Sequence, residues 1–130
     1  MSKVGFIGLG IMGRPMAKNM VKAGVELLVT DLNQEAVAEV VAAGAQAADY
    51  SQIGAQCEVI FTIVPNGDIV KSILFDKDGV ASTIKSGSVV CDMSSVTPVE
   101  SKECYKRLKE LGVGFVDAPV SGGEPGAVAG

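Results

Sequence analysis

The run Val4-Gly5-Phe6-Ile7-Gly8-Leu9-Gly10-Ile11-Met12-Gly13 constrains this chain more than any other, because an apolar strand passes into a helix through glycines spaced G-x-G-x-x-G. Each glycine has its own task in such a unit. Gly8 permits the tight turn, Gly10 lets a diphosphate approach the backbone, and Gly13 lets the new helix pack closely on the strand. The phosphates then meet free N–H groups at a helix N-terminus. Leu9, Ile11 and Met12 complete the loop that contacts such a ligand.

The flanks decide whether this is more than a turn. Lys3 to Ile7 is β-prone and apolar, and Met12, Met16, Ala17, Met20 and Val21 recur at helical spacing until Gly24 offers a C-cap. Glu26 to Thr30 reads as a second strand with Asp31 at its end. An acid about 20 residues past the glycines is where ribose hydroxyls bind. Its carboxylate would accept from those hydroxyls and repel a 2′-phosphate, and Leu32 and Asn33 supply no arginine to receive one. NAD is therefore expected rather than NADP. A second reading makes Asp31 a cap or turn residue beside Asn33.

A chain of 130 residues, 48% hydrophobic and 20% charged with net charge −4, is expected to form one soluble globular domain. Its acidity, with no basic run, argues against nucleic acid. No apolar stretch is long enough to span a bilayer. Met1-Ser2-Lys3 leads straight into the first strand, leaving no room for a signal peptide, so a cytoplasmic location is expected. Cys57, Cys91 and Cys104 are odd in number and widely spaced, and the chain has no histidine. They read as buried free thiols, not as a disulfide framework, a metal site or a nucleophile.

Strands and helices keep alternating, the pattern of a Rossmann-type, doubly wound, mostly parallel sheet in a three-layer αβα sandwich. Ala45 to Ala47 is a short third strand, and Glu58 to Val64 a nearly all-apolar fourth, as a strand covered on both faces must be. Ala36, Val37, Val40 and Val41 mark a helix between the second and third strands, and Ser51 is expected to cap another. Val64-Pro65-Asn66 closes the fourth strand and turns the chain over the sheet's carboxyl edge, where ligands bind in this fold class. Ser88 to Cys91 is a fifth strand, followed by Asp92-Met93-Ser94-Ser95. Thr97, Pro98 and Glu100 then specify a helix start with a capping box. Val113 to Val116 forms a sixth strand leading into Asp117-Ala118-Pro119-Val120-Ser121-Gly122-Gly123, a loop whose N–H groups could cradle an anion or could simply be a flexible connection.

Several of these segments together resemble the β-hydroxyacid dehydrogenase family, which includes the 3-hydroxyisobutyrate dehydrogenases. Phe6 to Asn19 matches its N-terminal signature, in which methionines and a terminal asparagine accompany the glycines, and Asp117 to Gly123 matches its substrate-loop signature. Glu124-Pro125-Gly126-Ala127 is most similar to the tartronate semialdehyde (2-hydroxy-3-oxopropionate) reductases of that family. The resemblance implies that Val64, Pro65 and Asn66 border the nicotinamide side of the cofactor pocket. It puts Ser95 near nicotinamide and substrate, and Ser121, Gly122 and Gly123 at the substrate carboxylate. A polar strand end is the plainer reading of Ser94 and Ser95.

The implied reaction is reversible hydride transfer to a short semialdehyde carboxylate. In relatives a lysine from a following all-helical domain, which also builds a dimer, supplies the proton. No lysine of this chain corresponds to it, so no catalytic residue is expected here. Residues 1–130 are thus expected to be the cofactor domain of a larger homo-oligomeric enzyme, inactive alone and prone to self-associate through an apolar face. A non-catalytic dinucleotide-binding module remains the alternative of a different class.

Overall fold

A computed structural model describes residues 3–64, 66–94 and 97–117. The elements are β1 (Lys3–Ile7), α1 (Gly13–Lys22), β2 (Leu27–Thr30), α2 (Gln34–Ala43), β3 (Gln46–Ala47), α3 (Tyr50–Gln56), β4 (Cys57–Thr62), α4 (Gly67–Phe75), β5 (Val89–Asp92), α5 (Pro98–Lys109) and β6 (Gly114–Asp117), with a 3₁₀ turn at Val80–Ser82. Among the described residues all strand pairs are parallel and the sheet order is β3-β2-β1-β4-β5-β6. This is the doubly wound order, with its reversal between β1 and β4.

The alternation of side chains across the strands builds two cores. Ile7, Leu28, Ile60 and Val90 face Ile53 of α3, Val70, Ile73 and Leu74 of α4, and Cys104 and Leu108 of α5. Phe6, Leu27 and Val29 face Ala17 of α1 and Ala36, Val37 and Val40 of α2. Three layers result, as the sequence pattern predicts. Gly24, at φ +90°, follows the last turn of α1, and the Val25 N–H donates back to the Met20 carbonyl at 3.1 Å.

Several expectations need correction. Asp49, not Ser51, caps α3: its carboxylate accepts from the Gln52 N–H at 2.8 Å while the Gln52 amide oxygen accepts from the Asp49 N–H at 2.9 Å. A capping box places the cap before the first helical residue, and Ser51 already lies inside α3. The fourth strand ends at Thr62, two residues earlier than its apolar run suggests, because hydrophobicity continues into the cleft wall at Ile63 and Val64. The fifth strand runs one residue further, to Asp92, since a buried polar side chain pairs there with Thr62. Phe61 and Cys91 are half-buried, so β4 and β5 are not fully covered on the α1 face.

Candidate functional site

At the carboxyl edge, where β1 and β4 part, lies a cleft of about 500 Å³. Ile7, Gly8, Gly10, Ile11, Met12 and Gly13 form its floor, Asp31, Leu32 and Tyr50 one end, and Ile63, Val64, Ile69 and Ile73 the other wall. Ile11 is 71% exposed and Leu32 92% exposed, and Ile69 is exposed as well. Three large apolar side chains left in water around one cleft mark a surface suited to an apolar-faced ligand.

The three motif glycines answer to different neighbours. Gly8 sits at φ +105°, and a Cβ there would run into the Ile63 carbonyl of the neighbouring chain segment. A Cβ on Gly13 would strike the Gly8 carbonyl. Both positions are glycine because protein backbone fills the space. Around Gly10 nothing lies within 4 Å of where a Cβ would stand, and the residue is exposed. The open side belongs to the cleft.

The start of α1 opens onto the same space. Met12 enters in a helical conformation (φ −90°, ψ −39°), makes no side-chain cap, and no acid stands in the first turn. The Arg14 N–H already donates to the Gly10 carbonyl at 3.0 Å and Pro15 has no N–H, so among the described residues the N–H groups of Gly13 and of the turn before it are those left to meet an anion. Asp31 lies opposite. Its Oδ2 accepts from the Leu9 N–H at 2.5 Å and its Oδ1 from the Asn33 N–H at 2.8 Å. The residue is therefore a turn residue beside Asn33 and also a wall of the cleft, and a carboxylate has lone pairs left for further donors. Asn33 itself caps α2, accepting from Glu35 and Ala36 at 3.0 and 3.3 Å. Burial, and secondarily the Asp31 carboxylate, hold the Tyr50 phenol above its ordinary pKa.

Gly8, Gly10, Ile11, Met12, Gly13, Asp31 and Val64 come together as cleft lining. Leu9 does not: its side chain is in the core and its N–H is given to Asp31. Asn66 caps α4, accepting from the Ile69 N–H at 3.1 Å, and is not among the lining residues. Pro65, Ser95, Ser121, Gly122 and Gly123 lie outside the described residues. Their described neighbours meet, however: the Val64 N–H donates to the Ser94 hydroxyl at 2.8 Å. Sequence reasoning missed Tyr50, Ile63, Ile69 and Ile73. Ile69 and Ile73 are spaced by one helical turn, a signal identical to that of core residues.

Chemically the cleft offers N–H donors and one carboxylate, and its described lining has no lysine or arginine. Arg14, at its edge, donates to the Leu9 carbonyl at 3.3 Å and pairs with Glu39 at 3.5 Å. The three thiols are free. Cys57 and Cys104 are buried, and burial is the main cause that lifts each from 9.0 to about 11. Cys91 is only half-buried, contrary to expectation, and its thiol is also raised, chiefly by burial. Among the described residues no cluster could hold a metal ion, and no helix is long and apolar enough to cross a membrane.

Known proteins share this architecture. The family described as the NAD binding domain of 6-phosphogluconate dehydrogenase matches residues 3–130. The chain is 49% identical over 129 residues to 2-(hydroxymethyl)glutarate dehydrogenase of Eubacterium barkeri, covering 98% of this chain and 43% of that protein. It is 42% identical over 126 residues to 2-hydroxy-3-oxopropionate reductase of Escherichia coli (strain K12), covering 96% and 43%. The crystal structure of 3-hydroxyisobutyrate dehydrogenase from Salmonella typhimurium superposes with a TM-score of 0.92 at 34% identity, over 99% of this chain and 45% of that one. The chain thus spans less than half the length of the relatives it matches.

Proposed function

The chain belongs to the NAD-binding domains of the 6-phosphogluconate dehydrogenase type, within the β-hydroxyacid dehydrogenase family, and from that premise we propose that it binds NAD(H) as the cofactor domain of an enzyme reducing a short semialdehyde carboxylate to a β-hydroxy acid. The observation that carries this is the uncapped start of α1 beside the open space at Gly10, facing Asp31 across one cleft. The N–H groups there hold the diphosphate, and Asp31 accepts from the adenosine ribose. With no lysine or arginine in the described lining, nothing there offsets repulsion between Asp31 and a 2′-phosphate, which supports NAD over NADP. When bound, the nicotinamide supplies or takes the hydride. Ile63 and Val64 exclude water from the opposite wall.

Ser95, Ser121, Gly122 and Gly123 are proposed to hold the substrate carboxylate, on the strength of the substrate-loop signature. The proton donor is proposed to come from a helical domain following residue 130 in a homo-oligomeric, cytoplasmic enzyme, so residues 1–130 alone are expected to bind cofactor without turnover. Tartronate semialdehyde is the proposed substrate, supported by Glu124-Pro125-Gly126-Ala127 and by the 42% identity to the hydroxyoxopropionate reductase. The 49% identity to the hydroxymethylglutarate dehydrogenase favours a second reading, a longer hydroxymethyl dicarboxylate.

Isothermal titration of the chain with NADH and NADPH tests the core of the proposal. Saturable NADH binding, tighter than NADPH, is expected, and absence of NADH binding by folded protein would sink it. Steady-state rates of the complete enzyme with tartronate semialdehyde, 2-(hydroxymethyl)glutarate and 3-hydroxyisobutyrate then decide the substrate.

A further inference from the structure

The row of the sheet that borders the cleft is polar where the row beneath is apolar. Thr62, Asp92 and Asp117 stand side by side with Ile7, two residues beyond Ile60, Val90 and Phe115. Asp92 and Thr62 are both 0% exposed. A carboxylate taken fully out of water is costly unless its oxygens are bonded. Asp92 meets that condition with only one oxygen. Its Oδ1 accepts from the Thr62 hydroxyl at 2.9 Å and from the Ser94 N–H at 3.0 Å, whereas Oδ2 is buried without a partner among the described residues. The chamber beside it, lined by Gly67, Val70, Glu100, Ser101, Cys104 and Phe115, has no room for a water molecule.

An apolar pair of similar volume would hold β4 and β5 together at least as well. Past the last strand pair, Thr62 with Asp92, the Met93 N–H donates to the Thr62 carbonyl at 2.7 Å, and the carboxylate adds a side-chain link to it. Ser94, held by Asp92, accepts the Val64 N–H at 2.8 Å. Val64 lines the cleft, and one of its methyl groups lies 3.2 Å from where a Cβ on Gly8 would stand. The series Thr62, Asp92, Ser94, Val64 therefore braces the β4 wall from the β5 side, while the Ile63 N–H, donating to the Ile7 carbonyl at 2.9 Å, ties that wall to the glycine turn. In this topology a dinucleotide crosses the strand reversal, so with its adenosine at Asp31, directly after β2, its other nucleoside lies over β4.

We infer that Asp92 is a positioning residue for the nicotinamide half of the bound dinucleotide, acting through Ser94 and Val64 without touching it. This rests on the NAD reading above. The test titrates the full chain and its variants with NADH and with ADP-ribose, which lacks nicotinamide. Asp92→Leu is expected to weaken NADH about tenfold while ADP-ribose changes less than about twofold. Asp92→Asn, whose Oδ1 still accepts from Thr62 and Ser94, is expected to restore NADH binding. Parallel loss of both ligands, or loss of neither, overturns the inference. If Asp92→Leu does not fold, Ser94→Ala carries the same expected split, and a parallel effect there overturns it equally. Wild-type protein that binds ADP-ribose and NADH shows the NAD reading intact whichever way the variants fall. Wild-type protein that binds neither removes both.

Discussion

Helices α1 and α5 both begin at the carboxyl edge of the sheet, and each faces the problem of N–H groups with no acceptor in the first turn. At α5 the chain answers it internally. The Thr97 hydroxyl accepts from the Glu100 N–H at 3.2 Å, and the Glu100 carboxylate accepts from the Thr97 N–H at 2.9 Å, a bond that also holds the Glu100 carboxyl below its usual pKa. Asn33, Asp49 and Asn66 do comparable work for α2, α3 and α4. Alone among the five α-helices of the described residues, α1 has no side-chain cap. A helix start satisfied by its own sequence is structural. One left open at a cleft, next to a glycine with free space beside it, is prepared for an anion from outside.

The largest test of this contrast separates the glycines. Gly8→Ala is expected to cost roughly 3 kcal/mol or more in unfolding free energy, read from the denaturant midpoint, because the new methyl meets backbone at a positive φ. A fully stable Gly8→Ala protein would show that the turn is not as tight as described. Asp31→Ala removes the acceptor for the Leu9 and Asn33 N–H groups as well as the one proposed for ribose. It should weaken NADH by about 2 kcal/mol, roughly thirtyfold, and narrow the preference over NADPH, both by calorimetry.

Gly10→Ala sharpens the comparison from the other side. Stability should change by no more than about 1 kcal/mol, in the stabilising direction if at all, while NADH affinity falls at least about tenfold. Retained affinity would mean that the space beside Gly10 serves no ligand. Thr97→Ala should do the reverse, lowering stability by about 1 kcal/mol with NADH binding untouched.

The smallest expected effect belongs to the thiols. Because folding raises Cys57 and Cys104 from 9.0 to about 11, their contribution is fully present below pH 9. It is then lost as pH rises toward about 11, where the unfolded chain ionises first. Chemical denaturation at pH 8 and pH 10.5 should show that decline, and thiol labelling of the native protein at pH 8 should be slow at both positions.

How much of this was legible beforehand depended on whether the signal was local. The glycine turn, Asp31 at the end of β2 and the Thr97-Glu100 box each lie within a few consecutive residues whose backbone chemistry has few alternatives. The cap of α3 was misplaced by two residues because Asp49 and Ser51 are both competent caps, and only the course of the backbone chooses between them. Ile69 and Ile73, one helical turn apart, carry the same local pattern as core residues, and Asp92 in the sequence merely follows the fifth strand. Nothing in their neighbours along the chain says that Ile69 and Ile73 of α4 line the cleft, or that Thr62 stands opposite Asp92.

By itself the sequence determined a parallel α/β sandwich with a dinucleotide-type first turn, since these follow from hydrophobic period and from the steric freedom of glycine, and it marked Asp31 at the end of β2 as a candidate cleft residue. Tertiary structure alone decided which helix start stays open, which apolar side chains wall the cleft, and that a buried carboxylate ties β4 to β5. Those properties depend on which strands become neighbours, and strand pairing is a relation between distant residues that no local pattern encodes.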